Sequence, residues 1–168
     1  PFVADISQQM ARMDGGDLSK LIDGAAYLLT NDYEKSLLES KTGLSDAEVL
    51  DRVAVRVTTL GKNGVEITGK DIERIHVPIA RDVQPIDPTG VGDGFRAGFF
   101  SALRWGLSLA DAARVGCLLA VEVLEAPGPQ EYAVRRRPFH DRLTAEYGED
   151  VALRVAEVWP ARPTVAHR

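Results

Sequence analysis

The chain has a single cysteine and no long apolar run, and each absence excludes a class of protein. Cys117 is the one cysteine among 168 residues, so an internal disulfide is excluded and a reducing compartment is expected. No segment reaches the roughly 18 consecutive apolar residues that a membrane-spanning helix needs. We therefore expect a cytoplasmic protein without a membrane partner.

An excess of positive charge is absent as well. The chain carries 20 lysines and arginines against 25 aspartates and glutamates, for a net charge of −5. Nucleic-acid-binding domains carry a basic stripe or patch, so no nucleic-acid partner is expected. The composition, 45% hydrophobic and 27% charged, is ordinary for a globular protein, and the length suits one domain.

Short apolar or β-branched runs alternate with helical segments along the chain. The runs with strand character are residues 2–6, 27–29, 55–60, 65–67 and 73–77. The segments with helical spacing or capping signals are residues 18–23, 33–41, 45–53, 93–105, 108–126 and 139–159, the last as one helix or two. Asn63-Gly64 predicts a hairpin turn. This alternation indicates a layered α/β fold with a largely parallel sheet.

Residues 87–99 form a glycine-rich turn that runs directly into a predicted helix. The first amides of a helix lack helical acceptors and lie at the positive end of its dipole, so they favour an anion. Gly90 and Gly92 would let the backbone close around a phosphate. Asp93 adds a carboxylate, whose ionised form the dipole favours, that could accept a hydroxyl proton. The pattern indicates phosphoryl transfer to a hydroxyl.

The same stretch resembles the carboxy-terminal signature of the ribokinase-like (PfkB) sugar and nucleoside kinases, D-T-T-G-A-G-D-x-F-x-A-G-F. The resemblance implies that Asp93 is the catalytic base and that Gly90, Val91 and Gly92 form the anion hole. Pro88 and Val91 depart from the usual residues. A left-handed backbone at Val91 would be costly because its side chain is β-branched.

Two further segments match this family. Asn31 and Glu34 match its N-x-x-E motif, which implies that they order Mg²⁺ and ATP phosphate, largely through water. Thr59, Gly61 and Gly64 match its T-L-G-x-x-G segment, which implies contact with ATP. The alternatives are a plain helix cap for the first pair and a plain hairpin for the second segment.

The resemblance also suggests cation and adenine contacts. Asp87 and Thr89 match positions where several relatives bind a monovalent cation such as K⁺, and Gly128 and Gln130 fall where the second cation loop would lie. Cys117 lies where relatives place a small residue near the adenine, although a lone cysteine on an apolar helix face is more often a core residue.

The histidines and a short basic run carry no specific signal of a site. The three histidines, at positions 76, 140 and 167, lack metal-ligand spacing, and residues 135–137 form a basic run typical of a solvated face. No P-loop and no protein-kinase motif is present. The glycines of residues 90–94 are not a dinucleotide fingerprint, because Phe95 stands where the third glycine belongs.

The resemblance covers nearly all of this chain but only the carboxy-terminal half of the family. It implies a ribokinase-like three-layer α/β/α fold lacking its amino-terminal half, with residues 1–160 in the kinase domain and residues 161–168 as a disordered tail. The implied reaction is ATP-dependent transfer to the primary hydroxyl of a small molecule. A homodimer of the full-length enzyme is left open.

A closer resemblance within the family suggests which molecule accepts the phosphoryl group. Residues 7–9, 30–34, 87–93 and 129–132 are most similar to actinobacterial adenosine kinases, which implies conversion of adenosine to AMP. A sugar kinase of the ribokinase or fructokinase type is the first alternative. The second is a nucleotide-binding fragment without catalysis, since the substrate-selecting half and its lid are not in this sequence.

Overall fold

A computed structural model describes residues 1–160, without the side chain of Gln8, so the tail predicted for residues 161–168 lies outside the described residues. The chain divides into two compact units, Pro1–Pro78 and Ile79–Arg168. Each unit is built around its own set of helices or strands, and each holds part of the predicted site.

The first unit is a five-stranded sheet with three helices. Its strands are β1 (Val3–Asp5), β2 (Tyr27–Asn31), β3 (Val55–Thr59), β4 (Val65–Gly69) and β5 (Ile72–Val77). Its helices are α1 (Gly15–Ile22), α2 (Asp32–Thr42) and α3 (Asp46–Leu50), with 3-10 turns at Ser7–Ala11 and Gly61–Asn63. The α/β class predicted from the alternating pattern is confirmed.

The sheet is mixed, with its strands in sequence order. β1, β2 and β3 pair in parallel, whereas β3, β4 and β5 pair antiparallel. Residues 60–64 join β3 to β4, and a connection this short permits only an antiparallel return. The hairpin predicted from Asn63-Gly64 is therefore present, although its turn spans five residues instead of two.

Local sequence signals explain where the helices of this unit begin and end. The side chain of Ser45 accepts a hydrogen bond from the Glu48 amide at 3.3 Å, and Glu48 accepts from the Ser45 amide at 2.8 Å. These two bonds form a capping box at the start of α3, at the first residue of the predicted helical segment 45–53. Gly43 ends α2 with φ 69°, the left-handed conformation that glycine adopts at little cost.

The helices α1, α2 and α3 pack on one face of the first unit's sheet. The apolar side chains buried there are Ala4, Ile6, Met10, Leu18, Ile22, Ala25, Leu28, Leu38, Val49 and Val53. The strand register places Arg56 beside Leu28, and its side chain is 2% exposed. Arg56 donates to Asp46 of α3 at 2.8 Å and lies 3.7 Å from Glu39 of α2. A charged side chain is therefore part of this apolar core.

The second unit contains four helices in its described part: α4 (Val91–Arg104), α5 (Leu109–Leu124), α6 (Arg136–Tyr147) and α7 (Glu149–Val158). α4 begins two residues before its predicted start, and the segment predicted for residues 139–159 is two helices separated at Gly148, whose φ is 95°. No helix among residues 1–160 is long and apolar enough to cross a membrane.

Small residues bring α4 and α5 into close contact. A Cβ atom built on Gly98 would lie 2.9 Å from Cα of Gly116, which is too close for any side chain there. Five small residues of α5 are buried: Ala112, Ala113, Gly116, Cys117 and Ala120. This packing fixes the axis of α4, and therefore the direction in which its amino-terminal turn points.

Candidate active site

The predicted anion hole lies at the start of α4. Gly90 precedes the helix with φ 79°, so the left-handed residue is a glycine and Val91 is already helical. The strain considered for Val91 therefore does not arise. The Val91 amide donates to the Pro88 carbonyl at 3.3 Å, and the Gly94 amide donates to the Gly90 carbonyl at 2.8 Å.

The amides of Gly92 and Asp93 lie between those two bonded positions. They belong to the first turn, where an α-helix has no carbonyl to accept them. No side chain of the described residues caps this helix start. The turn can therefore offer two amide donors to an anion, with the positive end of the helix dipole behind them.

Asp93 presents its carboxylate to solvent in the same turn. Its side chain is 89% exposed, and the Nη1 atom of Arg96 lies 3.9 Å from Oδ1. A pair at this distance with its carboxylate in solvent is weak, because water screens the charges. The carboxylate is thus within reach of an incoming hydroxyl group and is not locked into a structural ion pair.

A pocket of about 270 Å³ opens beside Asp93 within the second unit. Its lining residues come from α4, α5 and the segment after α5: Gly90, Asp93, Gly94, Ala97, Val123, Pro129, Gln130 and Tyr132. Pro129, Gln130 and Tyr132, which belong to one of the stretches that resemble adenosine kinases, therefore lie next to the predicted base. Tyr132 and Val123 were not predicted as site residues, because nothing local marks residues about 30–40 positions away as neighbours of Asp93.

Pro129 closes directly over Gly90. A Cβ atom on Gly90 would lie 2.7 Å from Cβ of Pro129, and real atoms do not approach that closely. Gly90 is therefore required twice, once for its positive φ and once for this contact. The turn at Gly90 and the segment that contains Pro129 therefore pack tightly against each other beside the pocket.

The residues matched to the cation positions lie just before α4. The Thr89 amide donates to Oδ1 of Asp87 at 2.9 Å, and this hydrogen bond holds the pKa of the Asp87 carboxyl below its usual value. The Asp87 amide donates to the Leu124 carbonyl at 3.1 Å. Gly128 is buried and Gln130 is exposed. The structure thus gives this loop a defined shape, and a cation there stays a prediction.

In the first unit, Asn31 and Glu34 form a reciprocal capping box at the start of α2. The Glu34 amide donates to Oδ1 of Asn31, and the Asn31 amide donates to Oε2 of Glu34, each at 2.8 Å. The plain helix cap considered from the sequence is therefore present. Each oxygen keeps a second lone pair, so the box does not prevent a contact through water. Among residues 1–160, no group of three or more His, Cys, Asp or Glu side chains could hold a metal ion.

Thr59, Gly61 and Gly64 surround the connection between β3 and β4. Gly61 has φ 56° and Gly64 has φ 87°, conformations that an L side chain adopts only with strain. The Leu60 amide donates to the Gly64 carbonyl at 2.8 Å and closes the loop. Thr59 ends β3 opposite Val65. Gly61 is exposed, and a Cβ atom built on it would meet nothing within 4 Å, whereas Gly64 is buried. The backbone at Gly61 is therefore open to a ligand.

Cys117 is buried on α5, with 5% of its surface exposed. Burial raises the pKa of its thiol to about 12, so it stays protonated and unreactive at neutral pH. These facts favour the core role that the sequence left as an alternative. Contact with adenine stays a prediction. The other singled-out groups are superficial: His76 and residues 135–137 are exposed and His140 is half-buried, whereas His167 lies outside the described residues.

Comparison with known proteins shows which family has a sequence like that of this chain. The profile of the pfkB family carbohydrate kinases matches residues 6–135. The nucleoside kinase of Methanocaldococcus jannaschii is 32% identical over 126 residues, which cover 75% of this chain and 41% of that protein. The ribokinase of Bacillus subtilis is 37% identical over 93 residues, 55% of this chain and 31% of that protein.

Solved structures give the same result for the fold. The Burkholderia thailandensis nucleoside kinase in complex with inosine is similar with a TM-score of 0.83 and 35% identity, over 88% of this chain and 49% of that one. The Methanocaldococcus jannaschii nucleoside kinase structure matches with a TM-score of 0.80 and 29% identity, over 86% of this chain and 48% of that one. The chain thus spans about half the length of the relatives that it matches, and the ribokinase-like fold predicted from the sequence is confirmed for that half.

Proposed function

The chain belongs to the pfkB family of carbohydrate kinases, and we propose that it carries the base and the phosphate-binding turn of an ATP-dependent kinase. The reaction would move the γ-phosphoryl group of ATP to a primary hydroxyl of a nucleoside or sugar. The observation that carries this proposal is the start of α4, where an exposed carboxylate and open amide donors share one helical turn. Both groups are needed for this chemistry.

In this proposal, Asp93 accepts the hydroxyl proton as the acceptor oxygen attacks the γ-phosphorus of ATP. The bond from that phosphorus to the bridging oxygen of ADP breaks as the new bond forms, so one proton passes to Asp93 for each phosphoryl group transferred. The 89% exposure of the Asp93 side chain supports this role, because a base must reach the proton that it removes.

The anion hole would consist of Gly90, Val91, Gly92 and the amide of Asp93. Gly90 turns the chain, and the amides of Gly92 and Asp93 would stabilise the charge that spreads over the transferring oxygens. The left-handed φ of Gly90 supports this assignment, since it places both amides at the open end of α4.

Asn31 and Glu34 are proposed to order Mg²⁺, and Thr59, Gly61 and Gly64 to bind ATP. When bound, the ion would neutralise part of the phosphate charge. The amide and carboxylate oxygens suit Mg²⁺, and their engagement in the capping box fits an ion held through its own water shell. Asp87 and Thr89 stay proposed as ligands of a monovalent cation such as K⁺, and Cys117 is proposed only as a neighbour of the adenine.

A nucleoside is the acceptor that we favour, with adenosine first. The support is the likeness to nucleoside kinases, one of them solved with inosine and with an ADP–inosine pair. A sugar is the alternative, favoured by the 37% identity with ribokinase over 93 residues. ADP is also present in the structure of the Cryptococcus neoformans ribokinase, which is consistent with ATP as the donor for either acceptor.

The acceptor is tested by phosphoryl transfer from Mg·ATP, using the chain together with its upstream coding sequence. Adenosine, inosine, ribose and fructose are offered separately, and the phosphorylated product is measured. We expect transfer to a nucleoside. Transfer to a sugar alone would keep the mechanism and replace the acceptor. ATP binding without transfer to any acceptor would favour a non-catalytic nucleotide-binding protein.

A further inference from the structure

An ion pair between α5 and α6 reaches the backbone of the segment that precedes the anion hole. Arg142 of α6 donates to both carboxylate oxygens of Glu125, at 2.6 and 2.9 Å. Glu125 is the C-cap residue that directly follows α5. Its Oε1 atom also accepts the Gln84 amide at 3.0 Å. One carboxylate therefore joins two helices to the segment of residues 84–90, which we name the approach loop.

The carboxyl end of α5 holds the approach loop at adjacent positions. The carbonyl of Leu124 accepts the amides of Ile86 and Asp87, at 2.8 and 3.1 Å. Together with the bond from Gln84 to Glu125, these contacts fix the loop up to three residues before Gly90. The approach loop has no helix or strand of its own, so its path depends on these bonds.

The ion pair between Arg142 and Glu125 is less exposed and better oriented than an ordinary surface ion pair. The Arg142 side chain is 25% exposed and the Glu125 side chain 22% exposed, and the two parallel hydrogen bonds fix the orientation of both groups. Glu122, one turn earlier on α5, also accepts from Arg142, at 3.2 Å. Among the described residues, the approach loop has no hydrogen bond to Glu122. The two glutamates thus differ in whether they touch the loop.

We propose that Glu125, oriented by Arg142, is a positioning residue that sets the approach loop and thereby the placement of Gly90 and Asp93. This inference rests on the proposed function, because positioning matters only if this turn performs the transfer. Neither residue touches the pocket beside Asp93. They would act on Gly90 and Asp93 through the hydrogen bonds that hold the backbone of the approach loop. A displacement of about 1 Å at the reacting atoms can lower a rate by roughly 100-fold.

The test compares Glu125→Ala with Glu122→Ala in the chain with its upstream coding sequence. Both variants remove a carboxylate from Arg142, but only the first removes the acceptor for the Gln84 amide. We expect Glu125→Ala to lower kcat at least about tenfold with KM for ATP nearly unchanged, and Glu122→Ala to keep the wild-type kcat. Glu125→Gln keeps an oxygen acceptor for Gln84 and should restore most of the rate. Equal kcat for the two alanine variants would overturn the proposal.

Amide hydrogen exchange separates this proposal from the proposed function. In the same variants, Glu125→Ala should speed exchange in peptides that cover residues 84–93, while Glu122→Ala and Glu125→Gln leave those peptides as in the wild type. If the wild type transfers no phosphate but this exchange pattern is found, the proposed function fails and the positioning contact stands. If Glu125→Ala leaves exchange in these peptides unchanged, the positioning role is wrong, whatever the activity.

Discussion

Gly90 combines two constraints that only glycine meets. Its φ is 79°, and a Cβ atom would lie 2.7 Å from Cβ of Pro129. The left-handed conformation costs an L residue about 1–2 kcal/mol, and overpacking against a fixed neighbour adds about 1–3 kcal/mol. The turn that we assign to phosphate binding is therefore sensitive to a single methyl group.

We expect Gly90→Ala to lower the free energy of unfolding by about 2–5 kcal/mol, as the sum of those two costs. Gly106→Ala is the matched control, since Gly106 has φ 89° and its Cβ would meet nothing within 4 Å. That variant should lose only the conformational part, about 1–2 kcal/mol. Urea unfolding of both variants measures the difference, and equal losses would show that the contact with Pro129 is not tight.

Arg56 is a buried cation whose hydrogen-bond donors are only partly satisfied. Its side chain is 2% exposed, and its Nε and Nη1 atoms have no hydrogen-bond partner among the described residues. The cost of removing the guanidinium from water offsets much of the stabilisation that the ion pairs with Asp46 and Glu39 contribute. The volume of the side chain, more than its charge, should therefore stabilise the first unit.

Two substitutions of Arg56 test that account. Arg56→Met should change the free energy of unfolding by less than about 1.5 kcal/mol, because a long apolar side chain of similar shape replaces the buried part. Arg56→Ala should be less stable than Arg56→Met by about 2–5 kcal/mol, the usual cost of such a cavity. A methionine variant as unstable as the alanine variant would instead assign the stability to the ion pairs.

At the scale of elements, the features with local causes could be predicted from the sequence. The capping boxes at Asn31 and Ser45, and the glycine that ends α2 at Gly43, each depend on residues within one turn, and each is present. The start of α4 was predicted two residues late, because the sequence does not reveal that Gly90 takes the left-handed turn. Val91 can then enter the helix without strain.

Features that depend on distant residues could not be predicted in this way. The pocket beside Asp93 needs Tyr132, 39 positions away in the sequence numbering, and the bond from Gln84 to Glu125 joins a loop to the end of a helix. No periodicity or turn signal encodes such pairs. The roles of Asp93, Asn31 and Gly61 came from the likeness to a family, whereas the residues alone indicated only an anion-binding turn.

Asp111 joins α5 to α7 through a buried ion pair. Its side chain is 4% exposed and accepts from Arg114 at 2.6 Å and from Arg154 at 2.8 Å. Burial alone would raise the pKa of this carboxyl, but the hydrogen bonds from Arg154 and Arg114 outweigh it, so the pKa lies below the usual value of 3.8. The ionised form is therefore the one that stabilises the second unit.

Asp111→Asn should lower the free energy of unfolding at pH 7 by about 1.5–3 kcal/mol, the range for hydrogen bonds to a charged group. Because the folded pKa is depressed, this contribution is present above the unfolded pKa of about 3.9 and is lost as the pH falls through the folded value. The difference from the wild type should shrink below about pH 4. Asp17→Asn, which removes an exposed pair, is the control, and a difference for Asp111→Asn that persists at low pH would contradict this account.

At the scale of the whole molecule, β1 lies at one edge of the sheet, and exposed apolar side chains lie at its first residue and at the residue before it. Phe2 is 46% exposed and Val3 is 44% exposed. An edge strand with unpaired backbone groups and apolar side chains is a template for pairing with another chain. The chain as given, which spans about half the length of its relatives, should therefore associate with itself.

Sedimentation velocity at increasing concentration measures that association. We expect the wild-type chain to form oligomers and Val3→Lys to shift the distribution toward the monomer, because a charge on an edge strand opposes pairing. Tyr33→Lys is a suitable control, since Tyr33 is also exposed, at 71%, but lies on α2. A wild-type chain that stays monomeric at all concentrations would contradict the prediction.

The central claim is that Asp93 is the base of phosphoryl transfer, and the Asp93→Asn variant in the chain with its upstream coding sequence tests it most directly. Turnover with Mg·ATP and a nucleoside acceptor is measured beside the affinity for ADP. The account predicts that turnover falls by about 100- to 10,000-fold, the usual contribution of general base catalysis, while ADP affinity and thermal stability stay near those of the wild type. Near-normal turnover in Asp93→Asn would contradict the assignment of the base.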